Sequence, residues 1–366
     1  MLAKRVAPPI RAVQSKVTVR TLCSPPYPLS FPHETRPWDA PGGCDRRVHP
    51  LAGALKSKGY YHNVKTSRVV LSFAILIAAG VAAYFIFPPV RLLALVVAGH
   101  SPNCPMWQAV QSEAYVQERI RIKDRILAGS RLVKEDRDLE LWSTPKGNYW
   151  IPKGNRYVLA FNLAEMEQHI YGAAEHFIHP GDVVLDCGAS DGDFTRQALE
   201  AGAQTVVSTE ITPSSVECIR RNLAGETAAG RVIVYPKGVW DKDNVLMLSV
   251  DDTDFAANSV VLRPESSHPS VLVPLTTIDK LVAELKLARV DFIKMDIEGA
   301  EVPALAGAHE TIARFKPRLA IATEHRPDDE YTIPAAVRKI RADYHMECGP
   351  CQEAKGHVRP DVLYFW

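Results

Sequence analysis

Three stretches of the chain carry residues whose types and spacing can do chemistry. In the first, GDVVLDCGASDGDFT over residues 181–195, an apolar run ends at Asp186. Gly188, Ala189, Ser190 and Gly192 follow before a helical pattern opens at Phe194. Strand, glycine turn and helix in that order let backbone approach a nucleotide-like ligand at the carboxyl edge of a parallel sheet. Asp186, Gly188, Ala189, Ser190 and Gly192 are therefore candidate cofactor contacts, joined by Gly238 beyond the third expected strand. The dinucleotide pattern G-x-G-x-x-G fails, because Ser190 stands at its second glycine and none follows at the third. In the second stretch, Glu210 closes TVVST about two dozen residues after Asp186. That is close to the ~20 expected between a glycine turn and a ribose-binding acid. One carboxylate there can accept from both ribose hydroxyls; a solvated acid at a helix start is the plainer alternative. The third stretch, VDFIKMDIEGAE over 290–301, ends a strand in Asp296 and passes through Glu298 and Glu301 into a helix. Activating a hydroxyl as a nucleophile needs a base within hydrogen-bond reach. Asp296, Glu324 and His325 all fall at carboxyl ends of expected strands, and His325 has the best unperturbed pKa for that work. A histidine bonded into the structure is the equal alternative.

These residues need a frame to hold them together. From residue 183 onward, strands expected at 183–187, 205–209, 231–235, 290–295 and 318–323 alternate with helices at 194–201, 213–224, 277–287, 301–313 and 333–342. That alternation is the signature of a doubly wound, Rossmann-like α/β fold with a parallel sheet. Residues 361–366 read as a final strand, and 245–273 as an inserted hairpin or lid. Ahead of the sheet, 147–152 and 157–161 read as short strands and 163–176 as an amphipathic helix.

The 43 Lys+Arg against 42 Asp+Glu leave no global field for a polyanion, so nucleic acid is not an expected partner. Residues 1–68 are basic and interrupted by prolines, and read as disordered, a targeting sequence or an over-extended start. Residues 69–87 carry no charge and are long enough, at ~1.5 Å per residue, to cross a bilayer core. The reading is a single-pass membrane helix with the bilayer as a partner. Lys56, Lys58, Lys65 and Arg68 before it, against Arg91 after it, place the N-terminus in the cytoplasm by the positive-inside rule, although a cytosolic cosubstrate argues the other way. Residues 88–144 read as a linker holding a charged, solvated helix, and 145–366 as the catalytic domain. The seven cysteines are too sparse for a disulfide scaffold. Cys348-Gly-Pro-Cys351, bracketed by His345 and His357, reads as a plain turn, with a redox or zinc role as the alternative.

The spacing D-x-G-x-x-x-G from Asp186 to Gly192 resembles the first motif of class I S-adenosylmethionine-dependent methyltransferases. Lys294-Met-Asp296-Ile-Glu298-Gly-Ala-Glu301 adds to it. With the Thr-Thr-Ile-Asp at 276–279, the Gly307-Ala308 pair, the Pro-Gly-Asp at 180–182, Asn222 and Glu324-His325, the ordered set resembles FkbM-type methyltransferases over roughly residues 145–366. Ser190-Asp191 departs from the family's more usual Asn or His with an apolar neighbour. The resemblance implies a seven-stranded sheet closed by an antiparallel last strand. It also implies S-adenosyl-L-methionine as cofactor and O-methylation of a hydroxyl on a sugar or other small-molecule or glycan acceptor. Two rivals stay open: a catalytically degenerate methyltransferase fold used as a scaffold, and an NAD(P)-linked oxidoreductase.

Overall fold

The computed structural model describes residues 60–172, 174–249 and 270–366. Most of the basic N-terminal region and the middle of the insertion lie outside the described residues. The chain enters on α1 (Tyr60–Ile86), then α2 (Pro88–Val97) and α3 (Met106–Gly129). An antiparallel meander follows, β1 (Arg131–Asp136), β2 (Leu139–Thr144) and β3 (Gly147–Pro152), and then α4 (Arg156–Glu167). The first half of the main sheet is β4 (Val183–Cys187), α5 (Asp193–Glu200), β5 (Thr205–Thr209), α6 (Pro213–Asn222), α7 (Ala224–Ala228) and β6 (Val232–Tyr235). A small sheet of β7 (Gly238–Val239), β8 (Asn244–Ser249) and β9 (Ser270–Thr276) interrupts it, with β8 and β9 antiparallel as a hairpin insertion requires. The second half is α8 (Ile278–Glu284), β10 (Phe292–Met295), α9 (Glu301–Ala306), α10 (His309–Phe315), β11 (Arg318–Ala322) and α11 (Asp329–Ile340). The chain closes on β12 (Met346–Cys348), β13 (Cys351–Ala354), β14 (His357–Pro360) and β15 (Val362–Phe365).

The seven-stranded sheet has the order β12-β15-β11-β10-β4-β5-β6. Five strands run parallel, and β15 returns antiparallel against β11 as expected. Period-two alternation sends Val184, Val206, Phe292 and Ala320 into one core layer, and Leu185, Val207, Ile293 and Leu319 into the other. Burial on both faces explains why these strands read as unbroken apolar runs. The chain winds from β4 toward β5 and β6, then from β10 toward β11, so the winding reverses between β4 and β10. In such sheets a ligand crevice opens past the carboxyl ends of those two strands.

Several elements differ from the sequence reading. Residues 157–161, expected as a strand, form the start of α4, because Leu159, Ala160, Leu163 and Ala164 bury at helical spacing against Ile122 and Ile126 of α3. That helix also ends at Glu167, well short of residue 176. The helix expected over 301–313 breaks into α9 and α10 at Gly307, where a Cβ would lie 2.0 Å from the Trp240 carbonyl oxygen. The charged helix α3 is no solvated connector. Arg119 and Lys123 are buried, and α3 packs on α2, α4 and the β13–β14 hairpin. The C-x-x-C cysteines do not pair with each other, nor is Cys351 a bystander in a turn: it forms a disulfide with Cys104. Cys348 remains a buried thiol that donates to the Asn103 carbonyl at 2.6 Å.

Within α1, residues Arg68–Ile86 have a mean hydropathy of 2.5 and no buried share, and this is the one helix among the described residues long and apolar enough to cross a membrane. Directly after it, Leu92 and Leu95 of α2 bury into the core of the sheet domain.

Candidate active site

The β4 strand ends at Cys187 and the chain turns at Gly188, whose φ is +80°. A Cβ there would stand 1.9 Å from the Asp296 carbonyl oxygen, so only glycine lets the two strand ends approach this closely. Lys294 fixes the same contact from β10. Its buried Nζ donates to the Gly188 carbonyl at 2.7 Å and lies 3.4 Å from Asp186 Oδ1 and 3.9 Å from Asp296 Oδ2. Burial opposes that charge, but Asp186, Asp296 and Asp193 outweigh it and hold the ammonium up to about 12. Asp186 in turn accepts from Thr195 Oγ1 at 2.6 Å. The first acid of the glycine motif is therefore a buried brace for the turn and the following helix.

Glu210 stands beyond β5. Its Oε2 accepts from the Ser190 amide at 2.9 Å, and its Oε1 from the Ile211 and Thr212 amides at 2.8 Å each. Burial raises its pKa against these three backbone donors. The carboxylate is thus held rigidly at the rim of the crevice.

At the other end of the crevice, one imidazole sits among three carboxylates. His325 Nε2 lies 3.3 Å from Asp296 Oδ1 and 3.7 Å from Glu298 Oε1, while Nδ1 lies 3.0 Å from Glu301 Oε1. Burial disfavours the imidazolium, yet the Glu301 bond and the surrounding acids overcome it and push the histidine up to about 10. Burial likewise pushes Glu298 up to about 8. Asp296 goes the other way. Burial would raise it, but Lys294, His325 and the Tyr171 hydroxyl, donating at 2.5 Å, keep it below its ordinary value. At neutral pH the site therefore holds a cationic His325 and an anionic Asp296. One ligand atom each from Asp296, Glu298 and His325 falls within 4.8 Å of the others, a spacing that a cation could bridge. The imidazolium already supplies positive charge there.

These ends belong to one cavity of about 410 Å³. Of the sequence-derived candidates it gathers Gly188, Ser190, Glu210, Gly238, Asp296, Glu324 and His325 along its wall. Asp186, Ala189 and Gly192 stand behind the wall and shape it. Glu324 is exposed at the rim, where Gln352 Nε2 donates to it at 2.8 Å, with no bond to the Asp296–His325 pair. The residues missed are Glu165 and Tyr171 from α4 and just after it, and Trp240 from the loop after β7. Glu165 is held by Arg119 of α3 at 3.0 Å.

A family model described as the methyltransferase FkbM domain matches residues 186–347. The likeness to FkbM methyltransferases thus lies in residues 186–347. Its limits take in both the glycine turn and the Asp296–His325 pair. Among solved structures, the methyltransferase FkbM of Methylobacillus flagellatus KT is 19% identical with a TM-score of 0.40. That match covers 69% of this chain and 58% of the other, so it spans little more than half of that relative. The precorrin-6y C5,15-methyltransferase of Geobacter metallireducens GS-15 is 13% identical over 57% of this chain and 86% of its own, with a TM-score of 0.31. A Streptococcus mutans protein solved with SAH is 10% identical over 51% of this chain and 89% of its own, with a TM-score of 0.33. No curated protein matches the chain. The seven-stranded mixed sheet, with β15 antiparallel to β11, is the arrangement that the sequence resemblance implied.

Proposed function

We propose that the chain is a membrane-anchored, S-adenosylmethionine-dependent methyltransferase acting on a hydroxyl of a sugar or other small-molecule acceptor. The observation that carries this reading is the single cavity with Glu210 at one end and the ionised Asp296 beside His325 at the other. The wall fits the cofactor. Gly188 admits nothing larger, the buried Ser190 Oγ has no partner of its own, and Glu210 offers a fixed carboxylate to a ribose. Bound there, S-adenosylmethionine would supply an activated methyl on sulfur.

What remains for the chain is alignment and proton removal. The acceptor hydroxyl must lose its proton as the new bond forms. His325 is the poorer candidate, because its site keeps it protonated. Asp296 is the ionised group in reach of the cavity, with His325 and Lys294 steadying its charge. The role that unperturbed pKa suggested for the histidine thus passes to the aspartate.

Two outcomes test the assignment. Glu210→Ala removes a charged acceptor from a part of the cofactor that does not react, so affinity should fall by about ten- to a hundredfold, ~1.5–3 kcal/mol. Titration calorimetry with S-adenosylmethionine measures this, and normal affinity would remove Glu210 from the site. The NADH arm of the same titration should be silent, whereas a scaffold would bind neither cofactor. The second outcome concerns pH. Turnover should not rise through pH ~6.5, as a neutral histidine base would require, and should fall once pH passes about 10, where His325 loses its charge. The sign for stability is the same. His325 holds its proton more tightly folded than unfolded, so its contribution is complete below ~6.5 and is lost as pH rises through about 10. A rate profile with an ascending limb near neutrality would return the base role to His325.

A further inference from the structure

The bridge between Cys104 and Cys351 joins residues 247 apart, with Cα atoms 6.4 Å apart and both side chains buried. Cys104 lies in the short segment between α2 and α3, soon after the apolar helix; Cys351 opens β13. Packing alone brings these two segments together. The Val358 amide of β14 donates to the His100 carbonyl at 2.8 Å, and Arg91 of α2 pairs with Glu353 of β13 at 3.0 Å; Asn103 Nδ2 donates to Glu330 Oε2 of the neighbouring α11 at 2.8 Å. Whether thiols placed so closely are oxidised is decided by the compartment. Glutathione and thioredoxin systems keep such pairs reduced in the cytosol, and disulfides persist in secretory, periplasmic or extracellular spaces.

A second, independent feature points the same way. Lys56, Lys58, Lys65 and Arg68 precede the apolar helix, and Arg91 alone follows it closely. Basic residues stay on the cytoplasmic side of a span. Charge sends the C-terminal side across, and the cysteine pair suits the space it would enter.

We propose that the catalytic domain works on the oxidising face of the membrane, with its N-terminus in the cytoplasm and Cys104–Cys351 formed as a disulfide. The orientation rests on reading residues 69–87 as a span; the compartment does not. Forming the bond takes two protons and two electrons from the two thiols, and these pass to a protein or small-molecule disulfide of that compartment, which is reduced to its dithiol. The acceptor hydroxyl is then one presented on that face, and the methyl donor must be delivered there. Cys348 stays a thiol beside the bridge, since burial pushes its pKa up to about 11 and leaves little thiolate to exchange.

The test uses the full chain in cell membranes. Thiols are trapped in acid, blocked with N-ethylmaleimide, reduced and labelled with maleimide-polyethylene glycol. Two added labels are expected, and none in Cys104→Ser or Cys351→Ser. In sealed vesicles with the cytoplasmic face outward, added protease should remove an N-terminal epitope and spare a C-terminal one. Both cysteines blocked without reduction, or a C-terminal epitope digested in sealed vesicles, would overturn the proposal. Carbonate extraction separates the two readings. A protected, oxidised chain released by carbonate sinks the span while the compartment stands.

Discussion

Replacing Asp296 by asparagine is expected to cut single-turnover methyl transfer by about a hundred- to ten-thousandfold, the range that a positioned general base contributes. The amide keeps the shape of the carboxylate, can still accept from Tyr171, and leaves Lys294 bonded to Gly188. What it cannot do is take a proton. An interaction realised mainly in the transition state shows up as lost turnover with binding spared, so S-adenosylmethionine affinity should change by only a few fold. This is the reverse of the Glu210→Ala signature, and the two variants should be read together. Titration calorimetry and single-turnover rates, with an acceptor found by labelled-donor screening, separate them. If Asp296→Asn abolishes cofactor binding while Glu210→Ala leaves it intact, the two ends of the cavity have been exchanged. If neither variant alters binding or rate, the methyltransferase assignment of this cavity fails.

Much of the frame behind that prediction was legible in the chain. The strands at 183–187 and 205–209 match β4 and β5 because buried parallel strands are uninterrupted apolar runs, which a single sequence displays directly. Gly188 and Asp296 were readable because a turn against a neighbouring strand end admits only certain residue types. The protonation of His325 was not readable. It depends on Glu298 and Glu301, a turn away along the chain, folding back to meet a histidine from the next strand. Residues 157–161 misled because Tyr, Val and Phe favour strands, and only packing against α3 shows that Leu159 and Leu163 share a helical face. The partnership of Cys104 with Cys351 had no local signal either, since the C-x-x-C spacing drew attention to the wrong pair.

The role of α3 was the furthest from view, and it gives the largest expected effect on stability. Arg119 is only 4% exposed, and its guanidinium meets Glu165 at 3.0 Å, Asp361 at 2.8 Å and Gln168 at 3.0 Å. It ties α3 to α4 and to the start of the last strand, directly behind the cavity wall that Glu165 forms. Burial disfavours charge on all three ionisable groups, and burial pushes Asp361 up to about 7 even with the arginine beside it. Arg119→Met fills similar space but leaves two buried carboxyls facing each other without a cation. Breaking a buried pair in this way costs about 3–5 kcal/mol, which is roughly 6–20 °C in Tm for a domain of this size. The loss should also depend on pH with a definite sign. Without Arg119, Glu165 and Asp361 hold protons more tightly folded than unfolded, so the variant should be least impaired in acid and lose ground as pH rises past neutrality. Arg119→Lys keeps the charge but not the fork, and should fall between. Urea denaturation of the three proteins at acid and at neutral pH measures the effect. A deficit under ~1 kcal/mol for Arg119→Met, the same at both pH values, would mean that α3 is held by its apolar contacts alone.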